Sequence, residues 1–115
     1  MPPSADDRLN DILAAIEKID RATSGMTMTL FSDNDIVRAA TERFLEVICE
    51  ASLRLPDGIK QQASEIDWRK MTGFANLLRH AYHSTKVEAV WDIVQNHLPP
   101  LKLFVENRIR QIGTP

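Results

Sequence analysis

Cysteine is almost missing from this chain: Cys49 stands alone among 115 residues, so no internal disulfide can form and a reducing compartment suits the protein. Its apolar helical surroundings read as those of a small core residue rather than of a nucleophile. Glycine is scarce, at four residues, and the six prolines lie mostly near the ends of apolar segments. Long stretches are therefore left free to be helical. The sequence has no glycine-rich phosphate loop, no nucleophilic serine setting and no paired cysteines, which excludes a nucleotide-transferring role for this chain on motif grounds. A basic surplus is also lacking, because 14 basic side chains face 16 acidic ones for a net charge of −2. Contact with RNA would have to use a local basic cluster, or one assembled by pairing two chains. No apolar run reaches the roughly 18 residues needed to span a membrane. The N-terminal MPPSADDRLN is polar and acidic, unlike a signal peptide. A cytoplasmic protein is expected.

What is present suits one domain over residues 1–115. Hydrophobic residues make up 43% and charged residues 26%, an ordinary balance for a globular chain. Leu9, Ile12, Ile16 and Ile19 recur at helical spacing and predict a first helix over 5–23, with Ser4 as its cap and Asp6 and Asp7 at its positive end. Ser24-Gly25 breaks it, and residues 26–31 read as a connecting loop. A second helix is expected from Ser32, whose spacing to Asp35 suits a cap, with Ile36, Ala40, Phe44, Val47 and Ala51 on one side and Val37, Leu45 and Ile48 widening it. Pro56 and Gly58 end it. After a short turn or loop over 59–65, Asp67 should cap a third helix that turns Trp68, Met71, Phe74, Leu77 and Leu78 inward and frays between His80 and His83. Thr85 and Glu88 have capping-box spacing ahead of a fourth helix. Pro99-Pro100 should end or kink that helix before Leu101, Phe104, Val105, Ile109 and Ile112 continue it. No strand alternation, internal repeat or linker is visible. The expectation is an all-α, up-down helical bundle of four to five helices.

Most polar landmarks have plain readings. Trp68 and Trp91 sit among apolar residues at helical spacing and read as packing groups. Glu42, Arg43, Glu46 and Glu50 read as a solvated charged face with ion pairs along the helix, or as a dimer contact. Asp92 reads as a solvated residue or the partner of a nearby base. His83 and His97 lack an acidic or cysteine companion at ligand spacing, so no metal is expected.

The segment IDWRKMTGFANLLRHAYHSTKVEAVWDIVQNHLPPLK stands apart. Together with RLNDILAAIEKI near the start and ERFLEVICEASLRLP in the second helix, it resembles the HepT-like members of the HEPN superfamily, the toxin halves of HEPN/MNT toxin–antitoxin pairs. That resemblance implies an all-α bundle that dimerises about a two-fold axis. It also implies metal-independent endoribonuclease activity without a cofactor, and an MNT-type nucleotidyltransferase antitoxin as partner. The family pattern is an arginine, a polar residue, then histidine, one residue and tyrosine. Carried over, the polar residue falls on Asn76, the histidine on His80 and the tyrosine on Tyr82, which in the family also takes the AMP group. The arginine, five before the histidine, falls on Ala75. This departure removes the cation that would steady the phosphate, while a histidine suits proton transfer near neutral pH.

Two arginines offer a substitute. Arg79 lies one helical turn from Ala75. Arg69 lies eleven residues before His80 on nearly the same face, roughly 16 Å away along the axis. Arg79 is the nearer choice within one chain, and either arginine could arrive from a dimer partner. The sequence thus offers His80 as general acid/base, Asn76 as an orienting group, Arg79 as phosphate clamp and Tyr82 as substrate contact and modification site. The alternative is a degenerate module that only binds its nucleotidyltransferase partner.

Overall fold

The computed structural model describes residues 4–80 and 83–112, without the side chains of 83–85 and 112. Among the described residues regular structure is helical throughout, in an all-α, up-down bundle. Its long members are α1 (Ala5–Thr23), α3 (Asp35–Leu53), α5 (Trp68–His80), α6 (His83–Asp92) and α7 (Leu98–Ile112), with short helices α2 (Met28–Asp33) and α4 (Asp57–Lys60) in the connections. No described helix is long and apolar enough to cross a membrane.

The start of α1 follows its sequence signal. Ser4 Oγ accepts the Asp7 N–H at 3.1 Å while Asp7 Oδ2 accepts the Ser4 N–H at 2.9 Å, so two otherwise orphaned donors are satisfied reciprocally. The Ser4 backbone bond, then the hydroxyl, hold the Asp7 carboxyl below its usual range. Leu9, Ile12, Ile16 and Ile19 are buried as their spacing requires. The chain leaves α1 through Gly25 at φ 74°, a left-handed conformation that glycine adopts without Cβ strain.

The second helix differs from its sequence reading at its beginning. Residues 28–33 form α2 rather than a loop, capped by Thr27 Oγ1 at 3.2 Å from the Leu30 N–H. Asn34, not Ser32, then caps α3 by accepting the Val37 N–H at 3.0 Å. The reason for α2 is Phe31, fully buried with its ring 5.1 Å from that of Trp91. One buried aromatic repays the ordering of six residues that local propensity alone would leave loose. The core stripe of α3 keeps the expected Leu45, Ile48 and Ala51, with Val37, Phe44 and Val47 partly buried against the core, and adds residues the spacing did not name. Thr41, Cys49 and Ser52 also face inward, whereas Ile36, in the first turn, is 82% exposed.

Two further departures concern the last third of the chain. Helix α6 is already formed at His83, so Thr85 lies within the helix rather than at the expected cap position. Pro99-Pro100 neither ends nor breaks the rod. A π-helical turn, Ile93–His97, absorbs the prolines, with the Leu98 N–H returning to the Ile93 carbonyl five residues back. Both prolines then fall in the first turn of α7, where N–H groups are unneeded. The turn brings Asp92 Oδ2 to 3.4 Å from His97 Nε2. His97 therefore does have an acidic companion, one that i→i+5 winding creates, and its ring packs on Phe74 at 5.3 Å.

Helix α5 runs back along the π turn and α7. Phe74 meets His97, and Trp68 meets Phe104 edge-on at 5.9 Å, so the chain reverses between α5 and the α6–α7 rod. The Trp68 indole N–H is divided between the Lys60 and Ala63 carbonyls, at 3.0 and 3.2 Å. Both tryptophans are thus packing groups. Lys102 Nζ, 2.9 Å from Asp20 Oδ2, ties α7 to the last part of α1.

Phe31→Ala should destabilise the protein by about 3–5 kcal/mol in denaturant unfolding, and a loss under 1 kcal/mol would mean that α2 is not docked. Gly73 of α5 is exposed with nothing within 4 Å of an added Cβ. Gly73→Ala should therefore stabilise by about 0.5–1 kcal/mol, measured the same way; a destabilised variant would show that the helix needs the glycine.

Candidate active site at the end of the fifth helix

Helix α5 is fixed at both its start and its inner face. Asp67 Oδ1 accepts the Lys70 N–H at 2.9 Å, the cap its position in the sequence announces. Met71, Phe74 and Leu78 are buried against the core, with Trp68 and Leu77 half-buried. Anchoring that face decides where every other α5 side chain points. Thr72, Ala75 and Arg79, spaced by three and four, face a groove between α5 and α3. Arg69, Gly73, Asn76 and His80 form a neighbouring stripe on the outer side by the same spacing.

Asn76, Arg79 and His80 are all exposed. Asn76 and His80 are one turn apart, with Cβ atoms about 6 Å from each other by helical geometry, and His80 is the last described residue of α5. An imidazole at this position is open to solvent and to a substrate. Tyr82 lies outside the described residues. Arg69 borders a different groove, together with Asp57, Lys60 and Trp68. It therefore does not line the α3–α5 groove, and of the two substitutes for the missing arginine only Arg79 does.

That groove has a volume of about 490 Å³ and is lined by Arg43, Glu46, Cys49, Glu50 and Leu53 of α3 and by Thr72, Ala75 and Arg79 of α5. Cys49 forms its floor. Burial pushes the thiol up to about 11, the nearby Glu46 charge pushes the same way, and a hydrogen bond with the Ala75 backbone opposes them. Below that range the sulfur stays a neutral thiol, in keeping with a packing role rather than a nucleophilic one.

The charges around the groove are unevenly matched. Glu46 Oε2 lies 3.2 Å from Arg43 Nη1, and Glu50 Oε1 lies 2.6 Å from Arg54 Nε. Both groove carboxylates thus have an arginine of their own, whereas Arg79 has no ion-pair partner among the described residues. The charged face along α3 holds the expected ion pairs, and Glu42 reaches across to Lys86 of α6 at 3.3 Å. Among the described residues no three ligating side chains converge as a metal site would require. The site can supply proton transfer from an imidazole, hydrogen bonds from an amide and positive charge from arginine. The sequence reading missed the groove itself. Its α3 wall is the Glu42–Glu50 stretch read there as a solvated face, and no local pattern connects that stretch to Ala75.

Comparison with known proteins identifies the family. The family model described as "Ribonuclease HepT-like" matches residues 12–108. A protein of Thermococcus cleftensis named "Probable ribonuclease HepT" is 36% identical over 102 residues, covering 89% of this chain and 93% of its own. Two proteins of Methanocaldococcus jannaschii whose names begin "Putative RNase" are 31% and 30% identical, covering 85% and 90% of this chain and 90% and 86% of their own lengths. No solved structure matches the chain at a significant level. With the family match running from within α1 to within α7 and including all of α3, α5 and α6, the chain belongs to the HepT-like ribonuclease family of the HEPN superfamily.

Proposed function

We propose that this protein is an endoribonuclease that cuts RNA without a metal, as the toxin half of a HEPN/MNT-type toxin–antitoxin pair. The observation that carries the reading is the exposed turn Asn76–His80 at the end of α5, in a chain matched to ribonuclease relatives over nearly its whole length. His80 takes the 2′-hydroxyl proton and returns a proton to the departing 5′-oxygen. Asn76, one turn back, orients the ribose or the imidazole by hydrogen bonding. Arg79, exposed and without an ion-pair partner among the described residues, draws the phosphate and spreads the charge that builds on its oxygens. Tyr82 contacts substrate and is the acceptor of AMP from a nucleotidyltransferase antitoxin. Attachment there would place a bulky anion beside the phosphate site and block RNA. The protein works as a cytoplasmic homodimer, in which the negative formal charge of each chain is offset locally by two sets of site cations.

Ala75 favours a second reading. With the family's arginine absent, the chain serves as a degenerate module that docks its nucleotidyltransferase partner and leaves RNA intact. The two readings part in one assay. The purified protein should cleave tRNA or mRNA in the presence of a metal chelator, and His80→Ala should slow cleavage by about 10²–10⁴-fold. RNA left intact by the natural sequence, with cleavage appearing only in Ala75→Arg, would establish the degenerate module and sink the nuclease.

A further inference from the structure

The groove beside Ala75 has a second arginine. Leu53 and Thr72 border both the α3–α5 groove and the groove that holds Arg69, and so mark one end of the helix pair. Cys49 and Ala75 meet in the middle. Helices α3 and α5 are therefore antiparallel, and Arg43 and Arg79 share the opposite end. An independent contact agrees: Glu42, next to Arg43, lies 3.3 Å from Lys86 in the first part of α6. Arg43 thus stands level with the last turn of α5, the turn that ends in His80.

We propose that Arg43 of α3, acting with Arg79, supplies the phosphate-holding cation that position 75 lacks. The proposal rests on the ribonuclease reading and names the groups that hold the RNA phosphate at that site. The Arg43 side chain is 71% exposed, and among the described residues it pairs with Glu46 alone, at 3.2 Å, an exposed contact that holds weakly and is easily exchanged for another anion. A phosphodiester offers two non-bridging oxygens to a planar fork of donors, which is the geometry guanidinium groups match best. An alanine at 75 keeps the groove open, so that the two arginines can converge from its two walls. Glu46 has the opposing role of competing with phosphate for Arg43.

The test uses the full-length protein with two readouts: cleavage of an oligoribonucleotide, and binding of its 2′-O-methyl counterpart, which cannot be cut. Arg43→Ala should lower the cleavage rate by about 10²-fold, weaken binding and reduce the salt dependence of binding by roughly one phosphate contact. Arg43→Lys should recover part of the loss, and Ala75→Arg in the Arg43→Ala background should restore cleavage. Arg21→Ala, a charge removed from α1, serves as the control and should change neither readout. If the natural protein cuts RNA and Arg43→Ala cuts equally well, the Arg43 assignment is overturned while the nuclease reading stands. If the natural protein neither cuts nor binds RNA, both fall together.

Discussion

The contact of α3 with α5, where Cys49 and Ala75 line one groove, is the constraint from which the rest of the proposed site follows. Two small side chains at the crossing allow the helices to approach and leave an open groove above them. Because Met71, Phe74 and Leu78 lock the inner face of α5, the stripe through Thr72, Ala75 and Arg79 has no choice but to face α3. The stripe through Asn76 and His80 must then face outward. Neither the imidazole nor the arginine is positioned by a local motif alone. Each is placed by apolar burial one or two residues away, at energies of about 2–5 kcal/mol per large side chain.

Electrostatics then divides the groove into committed and available charge. Glu50 is paired with Arg54 and Glu42 with Lys86, whereas Glu46 holds Arg43 only through an exposed contact that another anion can displace, and Arg79 has no ion-pair partner among the described residues. A chain that is net acidic can still offer positive potential over a few ångströms if its carboxylates are spent elsewhere. On the proposed assignment the end of α5 has that character. Two arginines and a histidine are gathered within one turn of helix and the facing wall, in a protein whose overall charge of −2 gives no hint of an affinity for phosphate.

Much of this was legible in the sequence, and the parts that were not share a cause. Ser4 and Asp67 announce their helices because a cap is a contact between residues three apart. Leu9 through Ile19 announce their face because helical periodicity is local too. Helix α2 was invisible, since Phe31 holds it through Trp91, sixty residues away. Ile36 was misjudged because apolar spacing does not reveal where a neighbouring helix stops. The prolines at 99 and 100 were read as an end or a kink of the helix, and the π turn that accommodates them is encoded by no propensity. Of the proposed site, His80 and Asn76 came from the family resemblance and Arg79 from its helical offset to Ala75. Arg43 was not readable, because its relation to Ala75 exists only across the packed interface of α3 and α5.

The end of α5 and the facing turn of α3 are claimed as a single RNA-phosphate surface. The most direct measurement is a map of backbone and side-chain NMR shifts while an uncleavable 2′-O-methyl oligoribonucleotide is titrated in. Perturbations concentrated on Arg43, Asn76, Arg79 and His80, with α1 unaffected, are the predicted result. Shifts centred on Lys18, Arg21 and Lys102 instead, or no shifts at all, would contradict it.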